Sequence, residues 1–259
     1  MKRKNIWLVV CISIAAVCVC YLSYYYTRLY QANHANEEMQ NIASGKDNSI
    51  VGPVATKEPQ ETAKPVEIPV DFQALQQQNP DIYAWIELPC CEEGYPILQH
   101  PTDDSYYLDH SVEGKQGLPG ALYTERVNAK DFSDFNTVIY GHNMKNGTMF
   151  GNLKRYRDPG YWDGKRDIVI YTADQKRVYR IFAAVVYPSI HILNTYQEFE
   201  LEGNRELFIQ SIQDSHDINS HVLDDVEVTA DSQILTLSTC IGGKPNNRYL
   251  VEAVYIDDE

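Results

Sequence analysis

The feature that most restricts this chain is an uncharged, mostly apolar span from Ile6 to Tyr26, preceded by Lys2, Arg3 and Lys4 and followed by Arg28. At about 21 residues it is long enough to cross a bilayer as a helix. A cleavable signal peptide has a shorter apolar core and a small-residue cleavage site, and no such site follows here. The span is therefore expected to stay as an anchor. Basic residues before it and Tyr24, Tyr25, Tyr26 and Tyr30 after it predict a cytoplasmic N-terminus and an aromatic belt at the outer face. The remainder then folds outside the cell, as the catalytic or binding part of a single-pass membrane protein.

The span also disposes of half the cysteines. Of six in the chain, Cys11, Cys18 and Cys20 lie within it and act there as small apolar residues. Cys90, Cys91 and Cys240 remain, and three thiols cannot all pair within one chain, so at least one is expected to be free. A disulfide between neighbours Cys90 and Cys91 is geometrically awkward, and a zinc site needs more ligands than this spacing offers. These two are read as structural turn or strand residues. A formal net charge of −14 argues against a nucleic-acid partner, which needs clustered Lys and Arg. No nucleotide fingerprint, phosphate loop or metal cluster is present, so no cofactor is expected, and the acidic loops carry no calcium-liganding pattern.

Three regions follow: 1–30, the basic end and anchor; 31–67, a stalk; and 68–259, a folded domain. The stalk is rich in Asn, Glu, Thr, Lys, Pro and Ala, with too few large hydrophobes to offset its ordering entropy, and is expected to be flexible or locally helical. Fully extended at about 3.3 Å per residue, it could hold the domain roughly 100 Å from the membrane. The domain should open with a short helix capped by Asp71 and stopped at Asn79-Pro80. A turn then leads into Tyr83 to Leu88, and β-type runs follow at 95–98, 120–124, 137–140, 167–171, 177–187, 232–237 and 248–256. Many short strands without alternating helices predict a mainly β, antiparallel barrel or sandwich. One helix interrupts them, 204–215, with Leu207, Phe208, Ile212 and Ser215 near one face.

Thr236-Leu237-Ser238-Thr239-Cys240 reads as a buried strand ending in a thiol, with Arg248 opening the returning strand. A cysteine at such a position is commonly a small core hydrophobe. Here a permanent cation follows it, and a second strand, 137–141, ends in Gly141 and releases His142 into a loop, where functional side chains concentrate. A thiol, a base and a guanidinium suit covalent acyl transfer. A papain-like hydrolase fits poorly, because its nucleophile precedes its histidine in the chain.

Asn136 to Tyr156 (NTVIYGHNMKNGTMFGNLKRY), Thr236 to Cys240 (TLSTC) and the spaced Arg248 together resemble the class B sortases, membrane-anchored cysteine transpeptidases. The resemblance covers essentially Asp71 to Tyr255. It implies an eight-stranded barrel with N-terminal helices and a helix before the cysteine strand. By the same likeness Cys240 is the nucleophile, His142 the general acid/base and Arg248 the transition-state stabiliser, and Asp104, Leu108, Tyr140 and Ser238 fall where the family contacts its sorting peptide. Asp104 stands where relatives often carry Asn. Pro89-Cys90-Cys91-Glu92 replaces an expected Gly-Thr turn, and the Gly- and Pro-containing loop 241–247 rims the site, so motif preference can differ from other members. The implied reaction cleaves an NPxTN or (S/P)PxTG sorting signal of a surface protein after Thr and passes the acyl group to a cell-wall peptidoglycan amine. A pilin polymerase using a pilin Lys and a non-catalytic anchored module that holds the signal are the alternatives.

Overall fold

Asp71 caps the first short helix of the domain, its carboxylate accepting from Ala74 N–H at 2.9 Å. The structure, a computed structural model, describes residues 3–45, 68–117 and 119–256. The elements in order are α1 (Arg3–Ala43), α2 (Phe72–Gln78), β1 (Ile82–Glu87), β2 (Tyr95–Leu98), α3 (Tyr106–Asp109), β3 (Leu122–Tyr123) and β4 (Asn136–Tyr140). They continue with β5 (Asp167–Tyr171), β6 (Lys176–Pro188), α4 (Ile192–Thr195), α5 (Glu202–Gln213), β7 (His221–Val222), β8 (Ile234–Cys240) and β9 (Asn247–Ile256). Helix α1 is long and apolar enough to cross a membrane. It continues beyond the apolar span to Ala43, so the first part of the expected stalk is helical; residues 46–67 lie outside the described residues.

The strands pair in the order β5-β1-β2-β3-β4-β8-β9-β6, and β5 pairs again with β6, which closes an eight-stranded barrel; β7 adds to the side of β6. The expected barrel is therefore borne out, but its pairing is not wholly antiparallel. Strands β2 and β3 run parallel, as do β4 and β8. Each parallel pair is joined by a long crossover, one carrying α3 and the other everything between His142 and Gln233. Repeat period alone does not distinguish the two kinds of pairing.

Side-chain alternation sorts the strands into layers. Ile86, Ile97, Ile139, Leu235, Leu237 and Val251 fill the barrel. On the outside, Trp85 and Leu98 pack beneath α2 and the end of α1, through Phe72, Leu75, Met39 and Ile42. Val138, Val185, Ile234 and Leu250 pack against α4 and α5. Because helices cover both outer patches, β1 and β8 are buried along nearly their whole length. Helix α5 begins two residues earlier than expected and turns Phe208, Ile209 and Ile212 inward, while Leu207 is 62% exposed. Phe208, Ile212 and Ile209 span an arc of about 100°, and Leu207 falls about 150° from its middle, on the far side of the helix. Cys90 and Cys91 are unpaired thiols, 3.7 Å apart in the turn after β1.

One polar cluster is sealed between β4, β8 and β9. Thr236 Oγ1 lies 2.7 Å from Glu252 Oε2 and 2.9 Å from Asn136 Oδ1. A hydroxyl has one proton and cannot serve both acceptors, whereas a protonated Glu252 can donate to Thr236 as Thr236 donates to Asn136. Burial accordingly pushes the Glu252 carboxyl up to about 8. A raised carboxyl keeps its full contribution below the unfolded value near 4.5 and loses it as pH climbs toward the folded one. Denaturant titration of the full chain in detergent should show stability falling by roughly 3 kcal/mol between pH 5 and pH 8. Glu252→Gln should flatten that slope; an unchanged slope would assign it to other groups.

Candidate active site

Strand register assembles the site. Tyr123 lies opposite Tyr140, Tyr140 beside Ser238, and Cys240 opposite Arg248. Residues paired across strands project to one face, as do positions i and i+2 along a strand, so Tyr123, Tyr140, Ser238, Cys240 and Arg248 share the outer face of the barrel. His142 is brought there by three ties beyond the end of β4. Gly141 N–H donates to Ser238 O (3.1 Å), Thr239 Oγ1 to Gly141 O (2.7 Å) and Asn143 Nδ2 to Cys240 O (2.8 Å). The loop then folds back, with Phe150 N–H donating to the His142 carbonyl at 3.1 Å.

Gly141 has a steric reason to be glycine. A Cβ there would stand 2.4 Å from Leu122 Cδ2 and 2.6 Å from the Phe150 ring, both of them buried. Gly141→Ala is expected to push the His142 loop outward and lower kcat/KM on the order of 10²-fold, since misplacing a reacting group by about 1 Å costs that much. Peptide turnover together with a circular dichroism spectrum checks this: a folded variant with full activity would contradict it.

The result is a groove of about 320 Å³ floored by Tyr123, Tyr140 and Ser238. Leu108 of α3 and Ser189 to His191 of the β6–α4 loop also line it, with His142, Cys240 and Arg248 along it. Cys240 is a free, exposed thiol, and His142 and Arg248 are half-buried. His142 Nε2–H donates to Leu108 O at 2.7 Å, leaving Nδ1 as the ring nitrogen not engaged by that carbonyl. Arg248 Nη1 donates to Asn247 O at 3.1 Å and Pro245 O at 3.3 Å, so the loop between β8 and β9 aims the guanidinium. Among the described residues no cluster of His, Cys, Asp and Glu could hold a metal ion.

Six of the seven residues singled out in the sequence line this groove: Leu108, Tyr140, His142, Ser238, Cys240 and Arg248. Asp104 does not. It forms a bidentate pair with Arg126 at 3.0 Å and also accepts from the Arg126 N–H, and this arginine holds its carboxyl below the usual range. Its charge is thus met by an arginine beside the groove lining. Sequence reasoning missed Glu125 and His191, whose side chains meet at 3.0 Å across the groove. Burial raises the Glu125 carboxyl, opposed by His191 and by a hydrogen bond with Tyr140. Both are polar residues just past strand ends, the same signal that exposed His142.

A closed eight-stranded barrel with a thiol and a guanidinium paired at one strand end is what the sortase resemblance implies, and the family comparison agrees. The sortase-domain family model matches residues 86–256, and the chain belongs to that family of cysteine transpeptidases. Its relatives narrow the assignment to class B. Sortase B of Listeria monocytogenes is 30% identical over 187 residues, covering 72% of this chain and 74% of that protein. The crystal structure of sortase B from B. anthracis in complex with AAEK1 superposes with a TM-score of 0.68 at 28% identity, covering 92% of this chain and 100% of that one. A Streptococcus pyogenes class B sortase involved in pilus biogenesis gives a TM-score of 0.62 at 26% identity, covering 72% of this chain and 98% of that one.

Proposed function

We propose that this class B sortase cleaves a sorting signal of NPxTN or (S/P)PxTG type after Thr and transfers the protein to a cell-wall peptidoglycan amine, with Cys240, His142 and Arg248 as its catalytic residues. The observation that carries this is the Cys240–Arg248 pair on the face to which Gly141 and Asn143 tie the His142 loop. The Cys240 thiolate attacks the Thr carbonyl carbon, and Arg248 with backbone N–H groups receives the developing oxyanion. His142 as imidazolium gives its proton to the departing amine, the C–N bond breaks, and a thioester remains on Cys240. An acceptor amine then attacks the thioester, His142 takes the proton released, and the thiolate leaves. Leu108, Tyr140 and Ser238 contact the peptide, and α1 anchors the enzyme in the cell membrane with the barrel outside.

Incubation of the full chain in detergent with fluorogenic signal peptides and an amine acceptor tests this. The expected result is turnover of one motif, a peptide adduct on Cys240 by mass spectrometry, and an amide product. Binding without thiol-dependent turnover would favour a non-catalytic module instead. The likeness to the streptococcal pilus-biogenesis enzyme supports a second reading, in which the acceptor is a pilin Lys. Competition between wall-peptide and pilin-lysine amines separates the two.

A further inference from the structure

Helix α1 is uninterrupted from Arg3 to Ala43, and its C-terminal turns belong to the barrel's own packing. Ala35, Met39, Ile42 and Ala43 are buried, Met39 and Ile42 in one cluster with Phe72, Leu75 and Trp85, and Gln40 Nε2 donates to Gly94 O at 3.2 Å. Nearer the membrane, the Arg28 guanidinium lies 3.1–3.3 Å from where a Cβ on Gly117 would stand, so helix and loop touch there too. A helix rises about 1.5 Å per residue, which puts Ala35 only about 14 Å beyond Tyr26, the last residue of the apolar span. Residues 46–67 add nothing to that distance. On either side of them the chain is packed in the domain, Ile42 and Ala43 before and Val70 after, and the two flanks are directly joined, Asp71 N–H donating to Ala43 O at 3.0 Å. Whatever path the intervening residues take, both ends of the excursion are at one place.

Between this helix and the site loop lies a cavity of about 440 Å³, lined by Tyr21, Tyr24, Tyr25 and Arg28 on one side and His142, Met144 and Lys145 on the other. The chemistry is that of a membrane interface. Tyrosines occupy the headgroup level, where their rings are apolar and their hydroxyls wet, and Arg28 folds back so that its Nε donates to the Tyr24 hydroxyl at 3.2 Å. Lys145 is exposed on the loop facing them, a cation suited to anionic headgroups, beside Met144, which is half-buried against the barrel core.

We infer that α1 clamps the barrel directly onto the outer surface of the bilayer, with the 143–145 loop beside His142 seated among the lipid headgroups. This rests on the reading of α1 as a membrane span. The catalytic groove is then held at a fixed height and rotation above the lipid instead of swinging on a stalk. Its His142 end opens where a membrane-tethered substrate would already be confined.

Tryptophan quenching in vesicles tests this on the full chain. A Trp7→Phe background removes the tryptophan within the span and leaves Trp85 and Trp162, both buried in the domain. Lys145→Trp reports on the loop, and Leu207→Trp reports on α5, in the other helical layer. The vesicles contain phosphatidylcholine and phosphatidylglycerol brominated near the headgroup end of the acyl chain. The expected result is that Lys145→Trp loses most of its added emission and Leu207→Trp keeps its own. Equal emission from the two, with the protein floating with the vesicles after an alkaline wash, overturns the inference but leaves the anchor intact. Failure to float removes the membrane reading itself. Shielding of Lys145→Trp from aqueous quencher that grows with protein density, without bromolipid quenching, identifies a second copy of the chain there and also overturns the inference.

Discussion

Cys240→Ala is expected to reduce both peptide cleavage and amide formation by on the order of 10⁴-fold or more, because no covalent intermediate can then form. The substitution removes a sulfur at an exposed strand end and disturbs no buried packing. The hydrogen bond from Asn143 to residue 240 uses the backbone carbonyl and survives the change. The melting temperature should therefore hold, and signal-peptide affinity should stay near that of the parent chain. Steady-state turnover with isothermal titration of the same peptide measures both. Substantial transpeptidation by this variant would move the nucleophile elsewhere, and Cys91, the half-buried thiol in the turn after β1, would be the next residue to replace.

Arg248→Lys should lower kcat by about 10²–10³-fold with little change in KM, the range found when one oxyanion donor is removed. The charge is retained, but the fork that lets one guanidinium face donate to Asn247 O and Pro245 O while the other faces the groove is lost. Lysine offers a compact ammonium that cannot do both. Because Arg248 pairs with Cys240 across β8 and β9, any oxyanion on a Cys240-bound carbon forms within reach of this side chain. A variant that lost affinity and kept kcat would recast Arg248 as a peptide-binding residue.

The local parts of this molecule were readable in the chain because they rest on local rules. Asp71 announces a cap, β-type runs mark β4, β6, β8 and β9, and Gly141-His142 announces a strand end passing into a loop. The same rules do not say which strands are neighbours. The parallel pairing of β4 with β8, which sets Tyr140 beside Ser238, joins segments almost a hundred residues apart and leaves no periodic trace. The Asp104–Arg126 and Glu125–His191 pairs are invisible for the same reason, since each depends on where two loops come to rest. Helix α5 shows a finer limit: both Leu207 and Ile209 suit its pattern, and only the contact with the barrel decides that Ile209 goes in.

The parallel pairing of β4 and β8 carries one more consequence. Two strands pointing the same way release their final residues onto one rim, so the spacing of imidazole and sulfur is fixed by adjacency in the barrel wall. The polypeptide between them must leave that rim, travel around the body and re-enter at the opposite end. Only the part of it between β6 and β8 is free to change in length without moving either side chain, because Phe150 holds the His142 loop and β5 and β6 complete the barrel. The loop that carries Ile190 and His191 past the groove belongs to that variable part, so the wall of the groove can be reshaped while His142 and Cys240 stay where they are.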